Sequence, residues 1–173
     1  MIDLILGGAR SGKSKLAENL ALSCGRPVVY VATATAEDPE MRSRIAQHQS
    51  RRPSAWKTVE ESIFLADVLR REATSGRCVL LECITLWLTN LMLMDSGEHL
   101  DEQREALLEV LPLLSGRLII VSNEVGMGIV PMGELSRRFQ DEAGLLNQSL
   151  AARSDRVILT VAGIPQVLKG KRL

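Results

Sequence analysis

The run Gly7-Gly8-Ala9-Arg10-Ser11-Gly12-Lys13-Ser14 constrains this chain more than any other stretch. It fits the pattern G-x-x-x-x-G-K-[ST], and its surroundings fit as well. Ile2-Asp3-Leu4-Ile5-Leu6 reads as a short buried strand and Lys15 to Cys24 as a helix. A strand, a glycine-rich turn and a helix, in that order, aim backbone N–H groups and the positive end of the helix at one point. Gly7 and Gly12 then let the backbone wrap a phosphate chain. Lys13 reaches the β- and γ-phosphates, and the Ser14 hydroxyl binds Mg²⁺. This context favours a nucleoside triphosphate site over a chance glycine-rich turn.

The rest of the chain alternates apolar, strand-like runs with helix-like segments. Strands are expected at Pro27 to Ala32, Cys78 to Leu81, Leu118 to Val121 and Val157 to Val161, with a short edge strand at Trp56 to Val59. Helices are expected from Asp38 to Ser50, Ile63 to Thr74, Leu86 to Met94, Leu100 to Leu111 and Gly133 to Arg153. Gly76 stops the second of these, and a Ser96-Gly97 turn separates the third from the fourth. Continuously apolar strands separated by helices imply a parallel sheet covered on both faces. Ligands bind such sheets beyond the carboxyl ends of the strands. That rule gathers the phosphate loop, Thr33 to Thr35, Glu82 and Asn123 to Gly128 onto one rim.

Composition narrows the class. The 173 residues suit one domain, 1–173, and the 46% hydrophobic and 24% charged content is that of an ordinary globular protein. Lys+Arg and Asp+Glu are both 21, so a general nucleic-acid binder or anionic-membrane binder is not expected. Three cysteines without a C-x-x-C pair point to a reducing compartment. Met1-Ile2-Asp3 runs straight into the first strand, and the apolar stretch Ile84 to Met94 is too short to span a bilayer. A cytoplasmic protein without a membrane span is expected.

Three further places carry candidate chemistry. Glu82 ends an apolar strand where phosphate-loop proteins place an acid near Mg²⁺, although the usual residue is Asp. It is either that acid or a carboxylate capping the next helix. Arg44, His48 and Arg51 share one helical face at i, i+4, i+7. Guanidinium neighbours disfavour the imidazolium, and a neutral imidazole is a nucleophile. The spacing alone also suits a solvated basic helix with an incidental histidine. His99, the other of the two histidines, has no such cluster and reads as surface. The loop Asn123 to Pro131 sets two glycines and a proline among apolar residues, which suggests a shaped turn. A signalling GTPase is not indicated: Asp141-Glu142-Ala143-Gly144 fits D-x-x-G but falls mid-helix, and Asn123 to Gly126 lacks the Lys and Asp of N-K-x-D.

Taken in order along the chain, these pieces resemble one family. G-G-A-R-S-G-K-S is followed by E-M-x-x-R-I-x-x-H from Glu40 to His48, and by Arg52-Pro53 with Trp56. L-L-E-C-I-T-L-W-L-T-N-L (Leu80 to Leu91), N-E-V-G-M-G-I-V-P (Asn123 to Pro131) and R-x-F-x-D-x-A-G-x-x-N-Q (Arg137 to Gln148) complete the set. The chain resembles the bifunctional adenosylcobinamide kinase/adenosylcobinamide-phosphate guanylyltransferases of cobalamin biosynthesis. The resemblance implies a three-layer α/β fold of the phosphate-loop NTPase type, with a largely parallel sheet and one antiparallel edge strand. Lys169 to Leu173 is the candidate for that edge strand, if it is not frayed.

What the resemblance implies for function is specific. ATP or GTP, with Mg²⁺, phosphorylates the aminopropanol hydroxyl of adenosylcobinamide. GTP then donates GMP to adenosylcobinamide phosphate through a covalent guanylyl-histidine, for which the matching residue is His48. Where a second histidine sometimes precedes that position in the family, this chain has Gln47. The implied nucleotide site comprises Gly7, Gly8, Ala9, Arg10, Ser11, Gly12, Lys13, Ser14, Ala32, Thr33, Ala34, Gln49, Ser50, Arg51, Arg52, Glu60 and Glu82. Lys13 and His48 are its catalytic members, and Ser14 and Glu82 its metal ligands. Either Glu60 or Glu82 reads the guanine edge, and only one can serve Mg²⁺ at the same time. A homotrimer is implied as well. The rival readings are a monofunctional small-molecule kinase, for which His48 is unnecessary, and a non-catalytic nucleotide-binding module.

Overall fold

The computed structural model describes residues 1–35, 53–94 and 98–172. The helix expected from Asp38 to Ser50 and the Ser96-Gly97 turn lie outside these residues. Among the described residues, seven strands form one sheet: β1 (Ile2–Gly7), β2 (Val28–Ala32), β3 (Lys57–Glu60), β4 (Cys78–Glu82), β5 (Arg117–Asn123), β6 (Arg156–Val161) and β7 (Ile164–Lys169). The α-helices among the described residues are α1 (Lys13–Ser23), α2 (Leu65–Glu72), α3 (Ile84–Leu93), α4 (Leu100–Val110) and α5 (Glu134–Arg153). The strand order is β3-β2-β4-β5-β1-β6-β7. Every pairing is parallel except β6 with β7. This is the largely parallel phosphate-loop architecture with one antiparallel edge that the sequence led us to expect.

The antiparallel strand sits earlier than expected, at Ile164–Lys169 rather than Lys169 to Leu173. A two-residue turn, Ala162 (φ 50°) and Gly163 (φ 80°), reverses the chain directly after β6. Two successive positive φ values match the twist of a tight hairpin. Pro165 is tolerated because β7 is an edge strand with one free side.

Side chains alternate between the two faces of the sheet. Leu4 and Leu6 of β1 pack with Val79, Leu81, Leu118 and Ile120 beneath α2 to α5, with Trp87 and Leu91 among the covering residues. Ile5 points the other way and packs with Tyr30, Leu80, Ile119 and Ile158 against Ala17 and Ala21 of α1. Small residues on α1 let it lie close to the sheet, which holds the loop preceding it against the carboxyl end of β1.

The amino end of the sheet is tied by charge. Asp3 is fully buried, with Arg117 Nη2 donating to Oδ2 at 2.9 Å and Arg156 Nε to Oδ1 at 2.8 Å. A second buried acid, Glu72 at the end of α2, accepts from Lys57 Nζ at 2.7 Å, Arg71 Nε at 3.1 Å and Arg77 Nη1 at 3.1 Å. Lys57 begins the edge strand β3, so this cluster fastens that strand to α2. The hydrogen bond from Lys57 foremost, against the opposing effect of burial, holds the Glu72 carboxyl below its ordinary value.

Candidate active site

Strand register sets out the rim. Glu60 pairs with Ala32, Ala32 with Glu82, and Glu82 with Val121, while Gly7 lies between Asn123 and Thr160. These residues lie at or near the carboxyl ends of six adjacent strands. The phosphate loop, Ala32 to Ala34, Glu60 and Glu82 therefore share one edge of the sheet, although 75 residues of sequence separate Gly7 from Glu82. His48, Gln49, Ser50, Arg51 and Arg52 lie outside the described residues.

The phosphate loop is shaped by backbone demands that glycine meets. Gly12 holds φ +97°, and a Cβ there would stand 3.1 Å from Gly163 Cα. A Cβ on Gly7 would stand 2.7 Å from the Thr160 carbonyl. Both approaches come from the β6–β7 hairpin, and Gly163 N also donates to Ser11 O at 2.8 Å. The hairpin thus presses on one flank of the loop. On the other flank, Glu124 N donates to Gly7 O at 3.1 Å. Neither contact was anticipated from the sequence, because each joins backbone atoms of distant segments and leaves no side-chain signature.

Helix α1 starts at Lys13 with no side-chain cap and no acidic residue in its first turn. Its leading N–H groups are left for a ligand, and the helix dipole favours an anion there. Lys13 is buried, and its Nζ folds over the loop to donate to Gly8 O at 3.0 Å. Ser14 Oγ donates to Glu82 Oε1 at 2.5 Å. That bond brings together the two residues expected to serve Mg²⁺ across β1, β5 and β4. A hydroxyl and a carboxylate are hard oxygen donors, and Mg²⁺ is bound in this way when triphosphate oxygens and water supply the rest. The pair therefore fits the ion. Glu60, by contrast, is exposed at the end of edge strand β3.

Behind Glu82 runs a buried polar chain. Cys83 N donates to Thr33 Oγ1 at 2.9 Å, and Thr33 Oγ1 donates to Cys83 O at 2.8 Å. Cys83 Sγ lies 2.8 Å from Thr85 Oγ1, which accepts from Asn123 Nδ2 at 2.7 Å. Asn147 Nδ2 reaches Asn123 O at 3.2 Å, while Asn90 Nδ2 donates to Thr33 O at 2.8 Å. These bonds fasten the ends of β2, β4 and β5 to α3 and α5, so that the rim is preorganised. Burial pushes the Cys83 thiol up, so it stays protonated and serves as a packing and hydrogen-bonding group. The side chain of Thr33, one of the residues the family resemblance implies for the nucleotide site, is fully buried in this chain of bonds. The roles of Asn90, Asn123 and Asn147 were not read from the sequence.

Over residues 3–168 the sequence matches the family described as cobinamide kinase / cobinamide phosphate guanyltransferase. The chain belongs to that family. Among its relatives, the bifunctional adenosylcobalamin biosynthesis protein CobP of Pseudomonas aeruginosa is 61% identical over 173 residues, covering both chains completely. The corresponding protein CobU of Salmonella typhimurium is 38% identical over 182 residues, covering 98% of this chain and all of that one. CobU of Escherichia coli is 37% identical with the same coverage. Kinase and guanylyltransferase, the two activities expected from the motifs, are the two the cobinamide kinase / guanyltransferase family is named for. The phosphate loop, the Ser14–Glu82 pair and the polar chain behind them lie together at the carboxyl edge of the sheet. No helix among the described residues is long and apolar enough to cross a membrane.

Proposed function

We propose that the chain, acting as one catalytic domain over 1–173, carries out two successive transfers at this rim. In the first, the aminopropanol hydroxyl of adenosylcobinamide attacks the γ-phosphorus of ATP or GTP. The bond to the bridging oxygen breaks, the nucleoside diphosphate leaves and the hydroxyl proton passes to solvent. Transfer of this kind depends on positioning and on charge stabilisation more than on covalent chemistry. Lys13 and the first N–H groups of α1 supply both.

In the second, a ring nitrogen of His48 attacks the α-phosphorus of GTP and expels pyrophosphate. The phosphate of adenosylcobinamide phosphate then attacks the same phosphorus, and the N–P bond breaks. Adenosyl-GDP-cobinamide forms and His48 is regenerated. A covalent route divides one hard displacement into two easier ones. Mg²⁺, held by Ser14 and Glu82, would neutralise charge on the triphosphate. Because Glu82 is engaged with Ser14, we assign Glu60 to the guanine edge, where a carboxylate accepts from N1–H and the 2-amino group.

The observation that carries this reading is the Ser14 Oγ–Glu82 Oε1 bond of 2.5 Å beside the phosphate loop, in a chain of this family. The resemblance to the family further supports a cytoplasmic homotrimer, of three times the 19.0 kDa chain. Separate assays of the two half-reactions test the mechanism. His48→Ala is expected to abolish GMP transfer to adenosylcobinamide phosphate while phosphorylation of adenosylcobinamide persists in part. Lys13→Ala is expected to impair both. Full GMP transfer by His48→Ala would remove the covalent step, and full kinase activity in Lys13→Ala would break the single-site picture.

A further inference from the structure

The loop leaving β5 exposes an unusual run of apolar side chains. Met127, Ile129, Val130, Met132 and Leu135 are 76%, 97%, 65%, 97% and 55% exposed, five large hydrophobics within nine residues. Scattered apolar residues are normal on a surface, whereas a continuous group of them marks a binding surface. The loop is also held in place. Its root is Asn123, paired with Gly7 in the sheet, and Glu124 N is bonded to the Gly7 carbonyl. Glu124 Oε1 accepts from Gly126 N at 2.9 Å, and Gln140 Nε2 of α5 donates to Val125 O at 3.3 Å. Arg137 Nη1 donates to the Pro131 and Met132 carbonyls. Fixed at both ends by these bonds, the loop presents Met127 to Met132 outward.

We propose that this loop is the docking surface for the corrin macrocycle of the acceptor substrate. The inference rests on the reading that the chain transfers phosphoryl and guanylyl groups to cobinamides. An acceptor oxygen must approach the transferred phosphorus in line with the leaving oxygen, so the acceptor is seated next to the phosphate loop. The segment that carries the apolar run springs from that loop's edge, its root Asn123-Glu124 being bonded to Gly7. Its chemistry suits a macrocycle with methyl-studded faces and carboxamide arms. Met127 and Met132 offer soft, adaptable contacts, and Gly128 has no side chain to shield the backbone between them. A Cβ at Gly128 would meet nothing within 4 Å, so the glycine surface faces outward. Nucleotide binding makes no call on these side chains, since polar groups of the rim supply it.

Equilibrium dialysis of coloured cobinamide against the purified protein, with and without Ile129→Asp/Met132→Asp, tests the docking directly and needs no turnover. Labelling of the enzyme by α-labelled GTP and light scattering are run alongside, together with the milder pair Ile129→Ala/Met132→Ala. A rise of about tenfold or more in the cobinamide Kd is expected for the aspartate pair, with a smaller rise for the alanine pair. GTP labelling and molar mass are expected to match the parent. Unchanged cobinamide binding in both pairs would overturn the assignment. A changed molar mass with unchanged cobinamide binding would make the loop a subunit contact instead. If the parent binds cobinamide but takes no label from GTP, the guanylyl-histidine route fails while the docking surface stands or falls on the dialysis.

Discussion

Replacing Asp3 by asparagine removes the charge from a carboxylate that solvent does not reach, while nearly conserving its shape. Two guanidinium groups close on it, and they too are largely buried, at 16% side-chain exposure for Arg117 and 8% for Arg156. Removing one member of a buried ionic group leaves its partners uncompensated and costs about 3–5 kcal/mol. Asparagine keeps one acceptor oxygen, so the lower end, about 3 kcal/mol, applies. For a domain of this size each kcal/mol moves Tm by about 2–4 °C, which gives a fall of about 6–12 °C by calorimetry. Affinity for GTP is expected to hold, because Asp3 lies at the end of β1 opposite Gly7. The triple replacement Asp3→Leu/Arg117→Met/Arg156→Met should recover much of the loss, since well-packed apolar groups substitute for buried ions at little cost. Arg117 Nε already has no hydrogen-bond partner among the described residues, so little is forfeited there. A Tm shift below about 2 °C in Asp3→Asn would refute the reasoning. A triple variant less stable than the single one would show that packing, and not charge, decides the site.

Glu72→Gln should cost less, about 1–2 kcal/mol, because Lys57, Arg71 and Arg77 keep 58%, 62% and 46% of their exposure and so their water. Its signature is pH dependence. The folded-state carboxyl is held below the ordinary 4.5, so its contribution is complete above that value and is lost as pH falls through the depressed one. The Tm gap between parent and Glu72→Gln is therefore expected to be widest near neutrality and to close in acid, and a gap independent of pH would contradict this. Gly12→Ala forces a side chain into φ +97° and towards Gly163 Cα. The conformational cost alone is about 1–2 kcal/mol, and nucleotide titration should show weaker GTP binding at a modest loss of Tm. Parent-like affinity in that variant would mean that the hairpin does not shape the phosphate loop.

What was legible in the sequence was periodic or local. The phosphate loop declares itself through glycine and lysine spacing, and the parallel strands through uninterrupted apolar runs. Glu82 was placed beside Ser14 by a rule about strand ends, and the two side chains meet. Strand β7 was displaced because Pro165 argues against a strand and Ala162 hides the positive φ of the turn. Asp3 was read as one residue of a buried strand, but the two arginines that neutralise it come from β5 and β6, over a hundred residues away in sequence. Thr33, Cys83, Thr85 and Asn123 likewise meet only after the sheet has formed. Each is an ordinary strand-end or helix-start residue on its own, and no spacing rule links the segments around 33, 83 and 123.

The proposed route passes GMP through a covalent histidine, His48, with the triphosphate held by the phosphate loop. It is tested most directly by incubating the protein with Mg²⁺ and α-labelled GTP, denaturing it, and measuring the retained label. Acid-labile, base-stable label is expected on the parent and none on His48→Ala. Label of equal amount on His48→Ala, or GTP binding by the parent with no label at all, would contradict it.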